Sequence, residues 1–214
     1  MVSTELSPSF QVRMDPEEVV RIVQLMDAHG IFLCLDGGWA MDALLGEQTR
    51  PHKDLDVALH SRDLPRLLEL LAESGYQHLL TRGEWEHNFV LADSLGHQVD
   101  LHTFVMDDDG KIVGGVDYPP ESLTGQGMIL DQEVRCIEAV WLVDFHGGYT
   151  LDTEDYHDVC LLCKQFGIPL PVEYRRSESG DGWKRWHKRT AASTIGALNP
   201  GMDALENGFM YKTD

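Results

Sequence analysis

Apolar residues recur at helical spacing early in the chain. Val19, Ile22, Val23 and Met26 follow Asp15-Pro16-Glu17-Glu18, which supplies an N-cap, a proline at the first helical position and two acids at the positive end of the helix dipole. The pattern predicts a helix that closes at Gly30. The run Ile31-Phe32-Leu33-Cys34-Leu35 is short, uninterrupted and bounded by Asp36-Gly37-Gly38, so it predicts a buried strand; a short helix from Trp39 to Leu45 then ends at Gly46. Asp54-Leu55-Asp56-Val57-Ala58-Leu59 alternates, giving a strand with one carboxylate-bearing face and one apolar face. Leu64 to Ser74 predicts a helix closed by Gly75. Strands are predicted at Tyr76–Leu80, His87–Leu91 and Gln98–Val105, the last two joined by a turn at Asp93-Ser94-Leu95-Gly96. From Asp107 to Asp131 the chain is acidic and rich in Gly and Pro, which predicts loops with one hairpin. Glu138–His146 and Glu154–Phe166 predict two more helices, the second ended by Gly167 with Pro169 and Pro171 beyond it. This order predicts an α+β fold, a mixed sheet with helices packed on it, because too few β-α-β crossovers follow for a doubly wound sheet.

Composition narrows the class of protein. The chain has 214 residues and 43% hydrophobic content, enough for a core in one domain with an appendage or in two small domains, and a disordered acidic chain is excluded. Against 36 Asp+Glu stand 17 Lys+Arg, a formal charge of −19, so a nucleic-acid partner is not expected: clamping phosphates requires a basic stripe. Residues 107–158 concentrate the imbalance, with 13 acidic and 2 basic groups, which suits a metal or a cationic ligand as well as a solvated acidic surface. The 4 cysteines include no second pair to complete a zinc site and read as buried thiols of a reducing cytoplasm. No run reaches the roughly 20 apolar residues of a membrane span, and Met1-Val2-Ser3-Thr4-Glu5-Leu6 has no signal pattern, so a soluble, cytoplasmic protein without a membrane partner is expected.

The chemistry concentrates between Gly37 and Asp56. Asp54 and Asp56 are two apart on a predicted strand, so both carboxylates leave the same face, where they could converge on one divalent ion. Alone, the pair is a weak signal, and solvated carboxylates at a strand edge are its more common explanation. A Gly37-Gly38 pair between a strand and a helix lets backbone N–H groups approach an anion closely, although a tight turn would also require glycine. Arg50, His52 and Lys53 lie between the two elements, and basic groups beside a metal-binding Asp pair are what a nucleoside triphosphate requires. Asp100, between Val99 and Leu101 on a core strand, needs a partner if it faces inward, and a metal or a substrate hydroxyl would supply one.

These blocks resemble the polymerase-β-like nucleotidyltransferase superfamily. Leu35-Asp36-Gly37-Gly38-Trp39-Ala40-Met41-Asp42-Ala43-Leu44, Thr49-Arg50-Pro51-His52-Lys53-Asp54-Leu55-Asp56 and Val99-Asp100-Leu101-His102 are similar to the small lincosamide nucleotidyltransferases and, more distantly, to the 2''-aminoglycoside adenylyltransferases. Phe145-His146-Gly147-Gly148-Tyr149 and Asp155-Tyr156-His157-Asp158 support the same resemblance, which covers about residues 15–167. It implies the nucleotidyltransferase fold with C-terminal helices: a catalytic domain over 1–135, a helical region over 136–176 completing the acceptor cleft, and a linker and tail over 177–214. It implies that Asp54, Asp56 and Asp100 are catalytic and bind Mg²⁺, with Asp100 either completing the metal site or acting as general base. Gly37, Gly38, Arg50, His52 and Lys53 would hold the triphosphate of ATP or another NTP. The reaction implied is transfer of a nucleoside monophosphate to a hydroxyl of a small molecule, most simply a basic antibiotic such as a lincosamide.

Candidates for the acceptor pocket are Glu84, His87, His102, Trp141, Tyr149 and Asp155; Trp141 reads better as core and His146 as a structural histidine near a helix end. An aminoglycoside or a non-antibiotic acceptor is the alternative within the enzyme class. Outside it stands a nucleotide-binding or antitoxin-type interaction protein, against which the retention of all three carboxylates argues. The segment Gly182-Trp183-Lys184-Arg185-Trp186-His187-Lys188-Arg189 has no counterpart in the resemblance. It reads as a surface helix, a self-association element of a homodimer, or a cationic flap over the acidic region.

Overall fold

The computed structural model describes residues 13–81, 83–147 and 153–175. The predicted linker and tail, and the Trp/Lys/Arg segment within them, lie outside the described residues.

Each early element forms where its caps and apolar spacing place it. Helix α1 (Pro16–Ala28) is capped by Asp15, whose carboxylate accepts from the Glu18 N–H at 2.8 Å, and it buries Val19, Ile22, Val23 and Met26. Strand β1 (Leu33–Leu35) is buried throughout. Helix α2 (Gly37–Leu45) starts two residues earlier than the sequence predicts, because Asp36 is the N-cap, and it ends on left-handed Gly46. Strand β2 is Leu55–His60, so Asp54 precedes the strand and only Asp56 lies within it. Helix α3 (Leu64–Glu73) packs Leu67, Leu70 and Leu71 inward. Strands β3 (Gln77–Leu79), β4 (Asn88–Ala92) and β5 (Gln98–Met106) follow as predicted in order and type.

The segment after Asp107 holds more structure than its composition suggests. Strand β6 (Ile112–Gly115) forms a hairpin with β5, a 3₁₀ turn spans Pro120–Thr124, and β7 (Gly125–Ile129) and β8 (Gln132–Cys136) form a second hairpin. Two hairpins therefore replace the expected one. Helices α4 (Ala139–Phe145), α5 (Thr153–Phe166) and α6 (Val172–Arg175) close the described chain.

The strands form one mixed sheet in the order β3-β4-β5-β2-β1-β8-β7, with β6 added alongside β5. Strands β1 and β2 are antiparallel, whereas β2 and β5 are parallel and place Asp56 directly beside Asp100. The parallel β1–β8 pairing brings the strand that follows the acidic, Gly-rich segment next to the center of the sheet. Cys34 and Cys136 are fully buried, Cys163 nearly so, and Cys160 is half-buried. No helix among the described residues is long and apolar enough to cross a membrane.

Candidate active site

The site is built where the end of β1 meets the beginnings of β2 and β5. The Asp36 N–H donates to the Asp56 carbonyl at 2.9 Å, which fixes the β1–α2 junction against β2. Asp36 Oδ1 accepts from the Gly37 N–H at 2.8 Å, and Gly37 takes φ +56°, a region that side chains other than glycine's rarely enter. A Cβ at Gly37 would overlap the Asp56 carboxylate, and one at Gly38 would overlap the His52 ring and approach Arg50 Nη2 to 2.9 Å. The glycine pair therefore serves the protein's own packing first, letting an anionic strand and a helix N-terminus share one small space.

Asp56, Asp100 and His102 each offer a ligand atom, and these atoms lie within 4.8 Å of one another. Asp100 Oδ1 is buried and has no hydrogen-bond partner among the described residues; its nearest cation is His102 Nε2, at 3.5 Å. That separation leaves the contact electrostatic rather than a well-formed hydrogen bond. Burial and the neighboring Asp54 push the Asp56 carboxyl up to about 8. Burial and Asp100 likewise raise Asp54. Two carboxyls that resist ionization side by side, next to a third whose buried oxygen has open lone pairs, fit a hard divalent cation such as Mg²⁺.

Two further residues complete the network, and the sequence reading does not name them as site residues. Asp36 Oδ2 accepts from the Tyr118 hydroxyl at 2.7 Å, and His102 Nδ1 lies 3.1 Å from the same hydroxyl. Burial acts to raise Asp36, but His102, Tyr118 and the Gly37 N–H outweigh it and hold the carboxyl below its usual range. Burial likewise opposes the charge of His102, yet Asp100 and Asp36, which face its two nitrogens, raise it well above the usual imidazole range. Asp36 had a local signal in its N-cap position ahead of Gly37-Gly38. Tyr118 had none, because a loop brings it to the site from a distant stretch of chain.

The other sequence candidates divide into those that gather here and those engaged elsewhere. Arg50 and His52 flank Gly38, as a triphosphate cradle would need, but both already have protein partners. Arg50 pairs with Asp158 through Nη2 at 2.6 Å and through Nε at 2.9 Å, and with Glu154 at 3.1 Å. His52 is buried, bound through Nε2 to Asp42, and packed on Trp39 with ring centroids 4.7 Å apart. Lys53 is exposed beside Asp54.

Among the acceptor candidates, His102 belongs to the carboxylate cluster, with both nitrogens facing protein groups. Glu84 accepts from the Thr81 N–H and pairs with His78, each at 3.2 Å, while His87 Nδ1 lies 2.8 Å from Thr103 Oγ1. Asp155 is in the first turn of α5, with Oδ1 3.9 Å from His146 Nε2. Trp141 is half-buried against the core beside Phe145, and His146 caps α4, its Nδ1 donating to the Leu142 carbonyl at 2.8 Å. Tyr149 lies outside the described residues.

A strand, a Gly-Gly helix start, a strand led by Asp-x-Asp and a parallel strand carrying a third Asp define an enzyme of the nucleotidyltransferase class. The chain belongs to the aminoglycoside-2''-adenylyltransferase family, whose model matches residues 18–162. A lincosamide resistance protein of Staphylococcus haemolyticus is 28% identical over 152 residues, which is 67% of this chain and 91% of that protein. In fold, the chain is similar to the lincomycin-bound lincosamide antibiotic adenylyltransferase LnuA, with a TM-score of 0.63 and 24% identity over 71% of this chain and 98% of that one. It is also similar to ANT(2'')-Ia in complex with adenylyl-2''-tobramycin, with a TM-score of 0.59 and 19% identity over 80% and 98%.

Proposed function

We propose that this enzyme transfers a nucleoside monophosphate, AMP from ATP, to a hydroxyl of a small-molecule antibiotic, with a lincosamide as the first candidate. The observation that carries the reading is the in-register pair Asp56 and Asp100, with Asp54 one residue ahead of β2 and a glycine helix start against it. Asp54, Asp56 and Asp100 would hold Mg²⁺, which when bound neutralizes triphosphate charge and favors the leaving pyrophosphate.

The chain's own residues supply the rest. With the Gly37 N–H held by Asp36, the helix start offers the Gly38 N–H and the positive end of its dipole to phosphate oxygens, and Lys53, exposed at the approach, adds positive charge. Arg50 contributes next to Gly38 while remaining anchored to α5. Asp100 either takes the proton of the acceptor hydroxyl or completes the carboxylate set, in which case that proton passes to solvent water. The hydroxyl oxygen then bonds to the α-phosphorus, the bond to the bridging oxygen of the β-phosphate breaks, and pyrophosphate departs. Catalysis is positioning and charge neutralization.

An aminoglycoside acceptor is the second reading, favored by the family match over residues 18–162. Pyrophosphate release with ATP and with GTP, measured against lincomycin, clindamycin and an aminoglycoside panel including tobramycin, separates the two. Release with ATP and a lincosamide supports the first reading, and release with an aminoglycoside alone supports the second. No release with any drug overturns the antibiotic acceptor.

A further inference from the structure

Both ring nitrogens of His102 face groups inside the protein. Nδ1 lies 3.1 Å from the Tyr118 hydroxyl and 3.7 Å from Asp36 Oδ2, while Nε2 lies 3.5 Å from Asp100 Oδ1. The Tyr118 hydroxyl gives its proton to Asp36 Oδ2 at 2.7 Å, so its oxygen is free to accept from His102 Nδ1–H. Asp36 is itself fixed, since Oδ1 accepts from the Gly37 N–H and its own N–H donates to the Asp56 carbonyl. Tyr118 is 1% exposed and its ring is held edge-on by Phe104 and Phe145, with centroids 6.1 and 5.9 Å away. An imidazole fixed along its Nδ1 edge can aim Nε2 in one direction only. That direction is Asp100 Oδ1, the buried carboxylate oxygen with no hydrogen-bond partner among the described residues.

We propose that Asp36, Tyr118 and His102 are positioning residues for Asp100, holding its carboxylate in the orientation that the reaction uses. The inference rests on the nucleotidyltransferase reading above and assigns His102 to the carboxylate instead of to the acceptor. It holds whether Asp100 is a metal ligand or the base, because either role needs the carboxylate kept in one orientation. Side chains that converge on a reacting group are effective only when their own orientations are fixed by a supporting layer of contacts.

The test combines steady-state kinetics with equilibrium binding of Mn²⁺ alone, followed by electron paramagnetic resonance without nucleotide or acceptor. Tyr118→Phe removes one oxygen and keeps the packed ring, so the variant retains its fold. Its kcat should fall about tenfold with the acceptor KM within about twofold of wild type, and its Mn²⁺ Kd should rise at least about threefold. His102→Ala should lose more. His102→Gln, whose amide reaches the Nε2 position, should recover part of that loss.

A raised acceptor KM at unchanged kcat in the His102 variants would return His102 to the acceptor and overturn the inference. Wild-type kcat and Mn²⁺ affinity in Tyr118→Phe would overturn it as well. If wild type binds Mn²⁺ and Asp56→Asn does not, while Tyr118→Phe binds like wild type, the positioning role alone fails. If wild type neither binds Mn²⁺ nor releases pyrophosphate, the nucleotidyltransferase reading fails and the inference falls with it.

Discussion

Asp56 sits at an energetic cost to the metal-free protein. It is held between a helix start and two other carboxylates, and burial with Asp54 raises its carboxyl to about 8. Asp56→Asn should lower pyrophosphate release at least about a hundredfold. The same change should stabilize the chelator-treated protein by about 1–2 kcal/mol, read as a higher melting temperature, because an amide needs neither a buried charge nor the uptake of a proton to sit there. A lower melting temperature with activity retained would contradict both expectations. Glu18 shows the opposite balance. Its carboxylate accepts from Arg21 twice and from the Tyr76 hydroxyl once, each at 2.7 Å, and these bonds outweigh burial to lower its pKa. A depressed carboxyl contributes stability above its unfolded pKa, and that stability is lost as pH falls through the folded value. Glu18→Gln should therefore cost about 1 kcal/mol in urea unfolding at neutral pH, discounted for an Arg21 side chain that is 44% exposed, and the gap should close in acid. A gap independent of pH would show that packing rather than charge holds Glu18.

At the scale of elements, the Arg50–Asp158 pair ties the loop between α2 and β2 to α5. Asp158 is 2% exposed, so removing its cation leaves a buried charge without its counter-ion. Arg50→Met should cost about 3 kcal/mol in denaturant unfolding, and adding Asp158→Leu should restore part of it, since two apolar groups fit where one unpaired charge does not. A double variant less stable than Arg50→Met would contradict this. The elements themselves were legible wherever a cap and a spacing coincided. Asp15-Pro16 starts α1 and Gly46 ends α2 because both signals are local. The β7–β8 hairpin was not legible, for a reason visible in its turn. Its two central residues are Leu130 and Asp131, with Leu130 at φ +51°, so the Asn-Gly or Asp-Gly sequence that usually marks such a turn is missing. Strand β7, Gly125-Gln126-Gly127-Met128-Ile129, is also too rich in glycine to register as a strand; Gly127 is required because the Ala43 carbonyl occupies the space where its Cβ would be.

For the molecule as a whole, the charge of −19 is distributed differently from the way its position in the sequence suggests. Of the acidic segment 107–158, Asp107 caps its own turn beyond β5, at the opposite end of that strand from Asp100 and roughly 20 Å away by strand rise. Asp131 lies in the hairpin turn at the β7 edge of the sheet, and Asp158 is neutralized by Arg50. These three acids lie far apart in the fold and do not form one wall. A cationic acceptor should therefore show only about a two- to threefold rise in KM between about 50 and 300 mM salt, with kcat unchanged, because separate exposed charges are screened within roughly 10 Å. A tenfold or greater rise would reveal a contiguous acidic face.

The sequence by itself determined the helices with their caps, the carboxylate-bearing strand, the Gly37-Gly38 start and the pairing of those blocks with nucleotidyltransfer. Each is encoded within a few residues, by side-chain period, by backbone freedom or by a cap. Tertiary structure decided what those residues do to one another. Asp100 meets Asp56 only because β5 pairs parallel to β2, a register that no local pattern specifies. Tyr118 reaches Asp36 across the fold, and Arg50, which looked free for phosphate, is anchored by a helix more than a hundred residues later. Hydrogen bonds and buried ion pairs act over a few ångströms of space, and the folded chain alone sets which residues lie that close.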